Sequence, residues 1–392
     1  MKFPLLLRII TAIICGIAFG QFMPEALARV FVTFNSLFGD FLGFCIPLII
    51  LCLIIPAISE LGLSAGRLLL AALGLAYAST LFAGFSSFLI CDSLYPHILE
   101  RMGRLISVDN PSSLFLQPYF TFDMPPIMEV TSALVLAFVV GMGLAYIKSN
   151  ALKQCCLDAR DIIEMVINNV IVPLLPLYIF GLFLNMTVTG QAFTILEMFV
   201  RVILTMVVIG VGLLLLYFCV VGILFKRNPF TLMRIMLPAY MTALGTASSA
   251  ATIPVTTRQV RELGVRDEIA NFVVPLCATI HIPGSTLDIV ACSMAFMYMT
   301  GTEMTLAEYA PFIFMLSITM VAAPGVPGGA IMASLGLLDV MLGFDETMQA
   351  LMIALYVTID SFGTACNVTA DGVIALTLDC LKKRRDHARQ LS

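Results

Sequence analysis

The sequence predicts an all-α polytopic membrane protein with eight transmembrane helices and two opposed re-entrant helical hairpins. Three observations carry that prediction. Of the 392 residues, 60% are hydrophobic and only 12% charged, whereas a soluble chain is about one quarter charged, so lipid is the main solvent. Apolar runs recur along the chain, most near the ~20 residues that a helix needs to cross the hydrocarbon core. Lys, Arg, Asp and Glu fall mostly in the short connections, where the basic ones set the sidedness of each crossing.

The first run, near 5–23 in MKFPLLLRIITAIICGIAFGQFMPEALA, has the form of a secretory leader ending in Ala26-Leu27-Ala28. It is long enough to span and opens a chain that is apolar throughout, so it reads as the first transmembrane helix. Seven further spans fall near 33–57, 68–92, 127–147, 161–186, 194–225, 271–299 and 350–378. Lys2 and Arg8, Arg67, the 148–153 stretch, FKRNPFTLMR, RQVRELGVR and the tail KKRRDHARQ mark cytoplasmic connections; TGTEMTLAEYA and LDVMLGFDE, without Lys or Arg, mark external ones. The 93–126 loop counts as external although it carries Arg101 and Arg104. Two apolar stretches, 235–257 and 311–338, are interrupted by Gly, Pro and Ser, and each has connections of one type at both ends. Each therefore enters and leaves by the same face. Their non-helical tips must be buried in protein or line an aqueous cavity. The count leaves both termini in the cytoplasm, in an inner or plasma membrane.

Composition also excludes several functions. Most of the eleven cysteines sit inside apolar runs, and no CxxC or Cys/His metal spacing occurs, so neither disulfides nor a metal cage is expected. The net charge of −4, with basic residues scattered among short loops, offers no nucleic-acid surface. Ser285 near His281 is the single hint of a catalytic set and has no oxyanion arrangement beside it. No enzyme and no organic cofactor are expected.

Four polar pieces inside the apolar runs are expected to converge. In DSFGTACNVTAD (360–371), Asp360, Thr364, Asn367 and Asp371 step by four, three and four, which places them on one helix face. An intramembrane carboxylate is expensive and marks function by default. The other pieces are the tips GTASSAATIP (245–254) and APGVPGGA (323–330), and ATIHIPGST (278–286) in the seventh span. Ser248 and Ser249 beside free amides at a helix start suit a carboxylate. An Asp suits an ammonium group or a cation, so together they describe a zwitterion such as an amino acid. Pro283 frees backbone carbonyls that can hold a small cation. His281 suits a core histidine bonded to a carbonyl as well as a proton carrier, and His281, Ser285 and Asp288 are expected on one helix face. Simple packing accounts for the two serines as well, and an interhelical polar zipper for the stripe.

Five stretches in order carry a resemblance: LLLRIITAIICGIAFG, FCIPLIILCLIIPAISELG, RNPFTLMRIMLPAYMTALGTASSAATIPVT, GVPGGAI and DSFGTACNVTAD. Over nearly the whole chain the sequence resembles the dicarboxylate/amino-acid:cation symporters, the glutamate-transporter homologues; DSFGTAxN is similar to their serine/threonine branch. The resemblance implies a homotrimer in the bilayer, with a mobile transport domain that carries a free amino acid past a static scaffold in an elevator motion. It assigns 1–67 to scaffold helices one and two, and 68–93 to transport-domain helix three. It assigns 94–193 to an external loop with scaffold helices four and five, and 194–392 to the rest of the transport domain. It implies that Ser248 and Ser249, with amides around Val326 and Gly328, hold the substrate carboxylate and that Asp360 holds the ammonium. Thr364, Asn367, Ser285 and Gly363 would complete the pocket. Asp371 would be the side-chain ligand of a residual sodium site, with Asn367 also serving coupling and Thr80 and Tyr77 matching hydroxyl ligands on segment three.

Two departures from the family pattern sharpen the expectation. Where members that take acidic amino acids carry Arg, this chain has Gly363, and the alternative Arg position is Ala247. Without that bidentate partner, a small neutral substrate such as serine, threonine, alanine or cysteine is favoured, and Gly363→Arg is expected to shift preference toward aspartate. The family motif Asn-Met-Asp-Gly-Thr reads His281-Ile282-Pro283-Gly284-Ser285 here. Losing a carboxylate ligand should weaken sodium binding greatly, so the coupled cation is Na+ or H+, with His281 and Asp288 as candidate proton groups and uncoupled exchange a further mode. Sodium-coupled serine/threonine or acidic-substrate symport is the alternative within the class. An anion-conducting channel is the alternative outside it, without a basic pore lining to support it.

Overall fold

The computed structural model describes residues 5–60, 67–99, 116–147, 150–188, 190, 192–321, 323 and 327–390, and among them every regular element is helical. Among the described residues, six helical stretches are long and apolar enough to cross a membrane. Helix α1 (Leu5–Gly20) and α4 (Val130–Tyr146) are apolar and shorter, with 16 and 17 described residues. Between them lie α2 (Glu25–Glu60) and α3 (Arg67–Ile98).

The predicted span 161–186 is part of a longer rod. Helix α5 (Asn150–Val166) passes through a π turn at Ile167–Ile171 into α6 (Val172–Val188). Pro173 has no N–H to give the ladder, and the wider turn just ahead of it absorbs the missing bond. Helix α5 extends beyond the predicted start because NALKQCCLDARDIIEMV is amphipathic and not uniformly apolar.

After α7 (Ala192–Phe225), the chain forms two helix pairs and one broken helix. Helix α8 (Pro229–Thr246) starts with Asn228 capping the N–H groups of Phe230 and Thr231 at 2.9 and 3.3 Å, and with Pro229 in the first turn. It stops at Ala247, whose backbone is left-handed (φ 48°), and α9 (Ser249–Glu262) folds back against it. Helix α10 (Asp267–Ile280) ends at His281, and α11 (Pro283–Thr300) restarts with Pro283 in its first turn, where the missing N–H costs nothing. Helices α12 (Leu306–Met320) and α13 (Gly329–Leu342) form the second pair, and α14 (Glu346–Gln390) closes the chain.

Helix α1 packs on α6, and α2 packs on α4, α5 and α6. At the α1–α6 contact there is no room for side chains: a Cβ on Gly16 would lie 2.7 Å from the Phe180 carbonyl oxygen. This is the close approach that small residues allow between apolar helices. Helices α3, α7, α8, α9, α10 and α11 all pack against α14 or against α11. Helices α11 and α14 are the most enclosed: 89% of the apolar window of α14 is buried in protein, against 28% for α3. The polar stripe of α14 therefore faces protein, not lipid.

Candidate functional site

The stripe on α14 is buried along its length, and Asp360, Asn367 and Asp371 each engage a different element. Asn367 reaches the start of α11. Its Oδ1 accepts from the N–H groups of Gly284 at 2.7 Å and Ser285 at 3.3 Å, and its Nδ2 donates to Ser285 Oγ at 3.0 Å. These are the orphan N–H groups that a broken helix leaves at its new first turn. A single amide therefore satisfies the restart of α11 and fixes it on α14. Gly284 makes that approach feasible, because a Cβ there would meet the Gly363 carbonyl oxygen at 2.4 Å.

One turn further along, Asp371 Oδ1 lies 2.8 Å from His281 Nδ1, and His281 Nε2 lies 2.9 Å from Ser79 Oγ on α3. Ser79 Oγ donates to the Tyr217 hydroxyl at 2.9 Å, and that hydroxyl donates to the Ser79 carbonyl at 2.8 Å. Each hydroxyl has one proton, and both are spent, so Ser79 Oγ accepts from His281 Nε2–H. The Nδ1···Oδ1 contact then needs a proton of its own. It resides on the ring, giving an imidazolium–carboxylate pair, or on Asp371, giving a neutral pair. Either way His281 and Asp371 hold one proton between them and are neutral as a unit.

The Cys277 thiol shares this cluster, its sulfur lying with the imidazole and carboxylate ligand atoms within 4.8 Å. Thiolate, imidazole and carboxylate form a zinc-type donor set rather than a sodium-type one. Both imidazole nitrogens are, however, already engaged by Asp371 and Ser79.

At the other end of the stripe, Asp360 Oδ2 accepts from the Gly328 N–H at 2.8 Å. Gly328 has φ +76° and precedes α13, a backbone that glycine adopts at little cost. The contact ties the tip of the α12–α13 pair to α14. The Gly328 amide, predicted to face a substrate carboxylate, is thus directed at Asp360. Val326 lies outside the described residues. Ser248 caps α9, its Oγ accepting from Ala251 N–H at 3.3 Å, and Ser249 opens that helix, which packs against α14. Thr364 is buried on the stripe.

Some expectations are redrawn. His281, Ser285 and Asp288 do not share a helix face: the break at His281 and Ile282 separates the imidazole from α11. His281 turns to Asp371, whereas Asp288 turns to Gly363, where a Cβ would stand 2.3 Å from its Oδ2. Thr80 donates its hydroxyl to Ala76 of its own helix at 2.9 Å, and Tyr77 is half-buried on the same helix. Ser79, between them in AYASTLF, makes the contact to His281. Ser79 and Tyr217 were not legible as site residues, because each gains its role only from helices distant in sequence; Cys277 stands one turn before His281 on α10, a local Cys/His spacing that the sequence does carry.

Comparison with known proteins finds relatives over nearly the whole chain. The model of the sodium:dicarboxylate symporter family matches residues 5–381. A serine/threonine transporter, SstT, of Acinetobacter baumannii strain AYE is 26% identical over 396 residues, covering 96% of this chain and 97% of the relative. The SstT of Acinetobacter baylyi is 25% identical over 399 residues, with 98% of each chain covered.

Proposed function

Because the chain belongs to the sodium:dicarboxylate symporter family, a family of secondary transporters and not of enzymes, we propose that it carries a small neutral amino acid across the membrane with His281 in place of sodium coupling. The observation that carries this reading is the Asp371–His281–Ser79 chain. A sodium ion needs hard oxygen ligands, and here the Asp371 oxygen is taken by an imidazole nitrogen. The shared proton supplies what the metal ion otherwise would, namely neutralisation of a buried carboxylate. Moving that proton with the substrate gives proton coupling; keeping it in place gives exchange.

Neutrality of the substrate follows from what the pocket lacks. Neither α11 nor residues 346–381 of α14 contain Lys or Arg, so a side-chain carboxylate would be buried beside Asp360 and Asp288 without a cation. An α-ammonium at Asp360 and an α-carboxylate at the α9 start, where Ser248 and Ser249 stand, account for both ends of an amino acid. The names of the SstT relatives support serine and threonine within that class. The packing of α1 on α6 and of α2 on α4, α5 and α6, and of α3 with helices of the α7–α14 set, supports a scaffold and a moving domain. The two meet where α2 and α4 touch α13, α1 and α6 touch α14, and α6 touches α7. We assign re-entrant membership to the α8–α9 and α12–α13 pairs on the same grounds as their flanking charge.

Uptake of labelled serine into liposomes tests the coupling. Flux should persist when choline replaces sodium, and an inward proton gradient should accelerate it if the proton travels; loading the lumen with serine should accelerate it if the mode is exchange. Flux that collapses without sodium would refute the reading.

A further inference from the structure

We infer that Asp288 is the specificity-determining residue of this site and that it selects a substrate whose short side chain carries a hydroxyl group. This rests on the reading of the site as an amino-acid pocket and names the class within it.

Asp288 is 3% exposed, on the buried face of α11, and its Oδ2 has no hydrogen-bond partner among the described residues. A buried acceptor left unmade is costly, and such groups in native proteins call for an explanation. No explanation comes from a cation, because α11 and the adjoining part of α14 have none. Position gives one. Oδ2 stands 2.3 Å from where a Cβ of Gly363 would be, so the carboxyl group fills the space that Gly363 vacates. Gly363 lies three residues after Asp360, the ammonium ligand of the proposed pocket, and therefore on the same side of α14. Asp288 and Asp360 are close enough to interact electrostatically, and the Tyr356 hydroxyl stands among Asp288, Asp360 and Ser285.

An amino acid whose ammonium sits on Asp360 would therefore send its side chain toward Asp288. An acceptor at that place welcomes a donor. A carboxylate side chain is repelled, and a plain methyl group leaves the acceptor unpaired. A hydroxyl donates to it at the length of one carbon. Sites built around such a hydrogen bond reject the analogue that lacks it far more strongly than apolar pockets reject a methylene.

Binding of serine, alanine, 2-aminobutyrate and 2,3-diaminopropionate to the purified transporter tests this, read by thermal shift and by competition with labelled serine. Serine should bind at least about tenfold tighter than alanine. In Asp288→Ala that ratio should fall to near one, and Asp288→Asn, which retains an acceptor, should recover part of it. Equal binding of serine and alanine to the wild type, or an unchanged ratio in Asp288→Ala, would overturn the assignment while leaving the amino-acid reading intact. Tight diaminopropionate binding with serine rejected would overturn the hydroxyl class. If none of the four binds, the amino-acid reading itself falls, and this inference with it.

Discussion

At the scale of single residues, Gly363 shows how a local absence is shaped by its neighbour. From sequence alone, the missing guanidinium at this position points to a neutral substrate and suggests that Gly363→Arg converts the site. The structure places Asp288 Oδ2 in the path of any side chain there, so an Arg would pair with Asp288 before it met a ligand. We predict that Gly363→Arg alone weakens serine binding and gives little affinity for aspartate, whereas Gly363→Arg with Asp288→Ala gains aspartate binding. Competition by aspartate against labelled serine in the two variants decides; full conversion by the single change would show that Asp288 lies out of reach. The stripe of Asp360, Thr364, Asn367 and Asp371 was legible because its spacing lies within one helix. The Gly363–Asp288 and Ser79–His281 pairs were not, since each joins positions dozens to hundreds of residues apart, with no local period to reveal them.

At the scale of elements, the helices were legible and their ends less so. Apolar runs gave every helix from α1 to α14 a place, and the tip 323–330 and Pro283 located the interruptions before α13 and α11, whereas α8 starts at Pro229, capped by Asn228, ahead of the predicted 235. The π turn and the length of α5 were not legible, because amphipathic helix beyond the bilayer leaves no hydropathy peak. The break between α10 and α11 is the element on which the site depends, and it is held shut by contact of α11 with α14. A Cβ on Gly284 would press on the Gly363 carbonyl and on Cys366 Cβ, at 2.4 and 2.7 Å, and on Asn367 Oδ1 at 3.1 Å. Gly284→Ala should therefore force the helices apart, at a cost of about 1–3 kcal/mol for overpacking, and loosen the Asn367 bonds to Gly284 and Ser285. The expected outcome is a lower melting temperature in detergent together with lost serine binding. A variant as stable and as tight-binding as the wild type would mean that the approach is less close than the geometry requires.

At the scale of the whole molecule, function depends on whether one set of helices moves past the other. Helix α2 touches the second set through α13, while its other partners are α4, α5 and α6; Gly328, immediately before α13, bonds to Asp360. A sliding domain must break the α2–α13 contact, and a rocking one about that contact need not. The eleven cysteines are all free among the described residues, so a background with each replaced is needed before a new pair is introduced. In that background, one cysteine in α2 and one in α13, joined by a short crosslinker, should stop serine flux while leaving serine binding in the locked state. Reduction of the link should restore flux. If crosslinked protein continues to transport, α2 and α13 stay together through the cycle, and the elevator division between them is wrong even though the site on α14 stands.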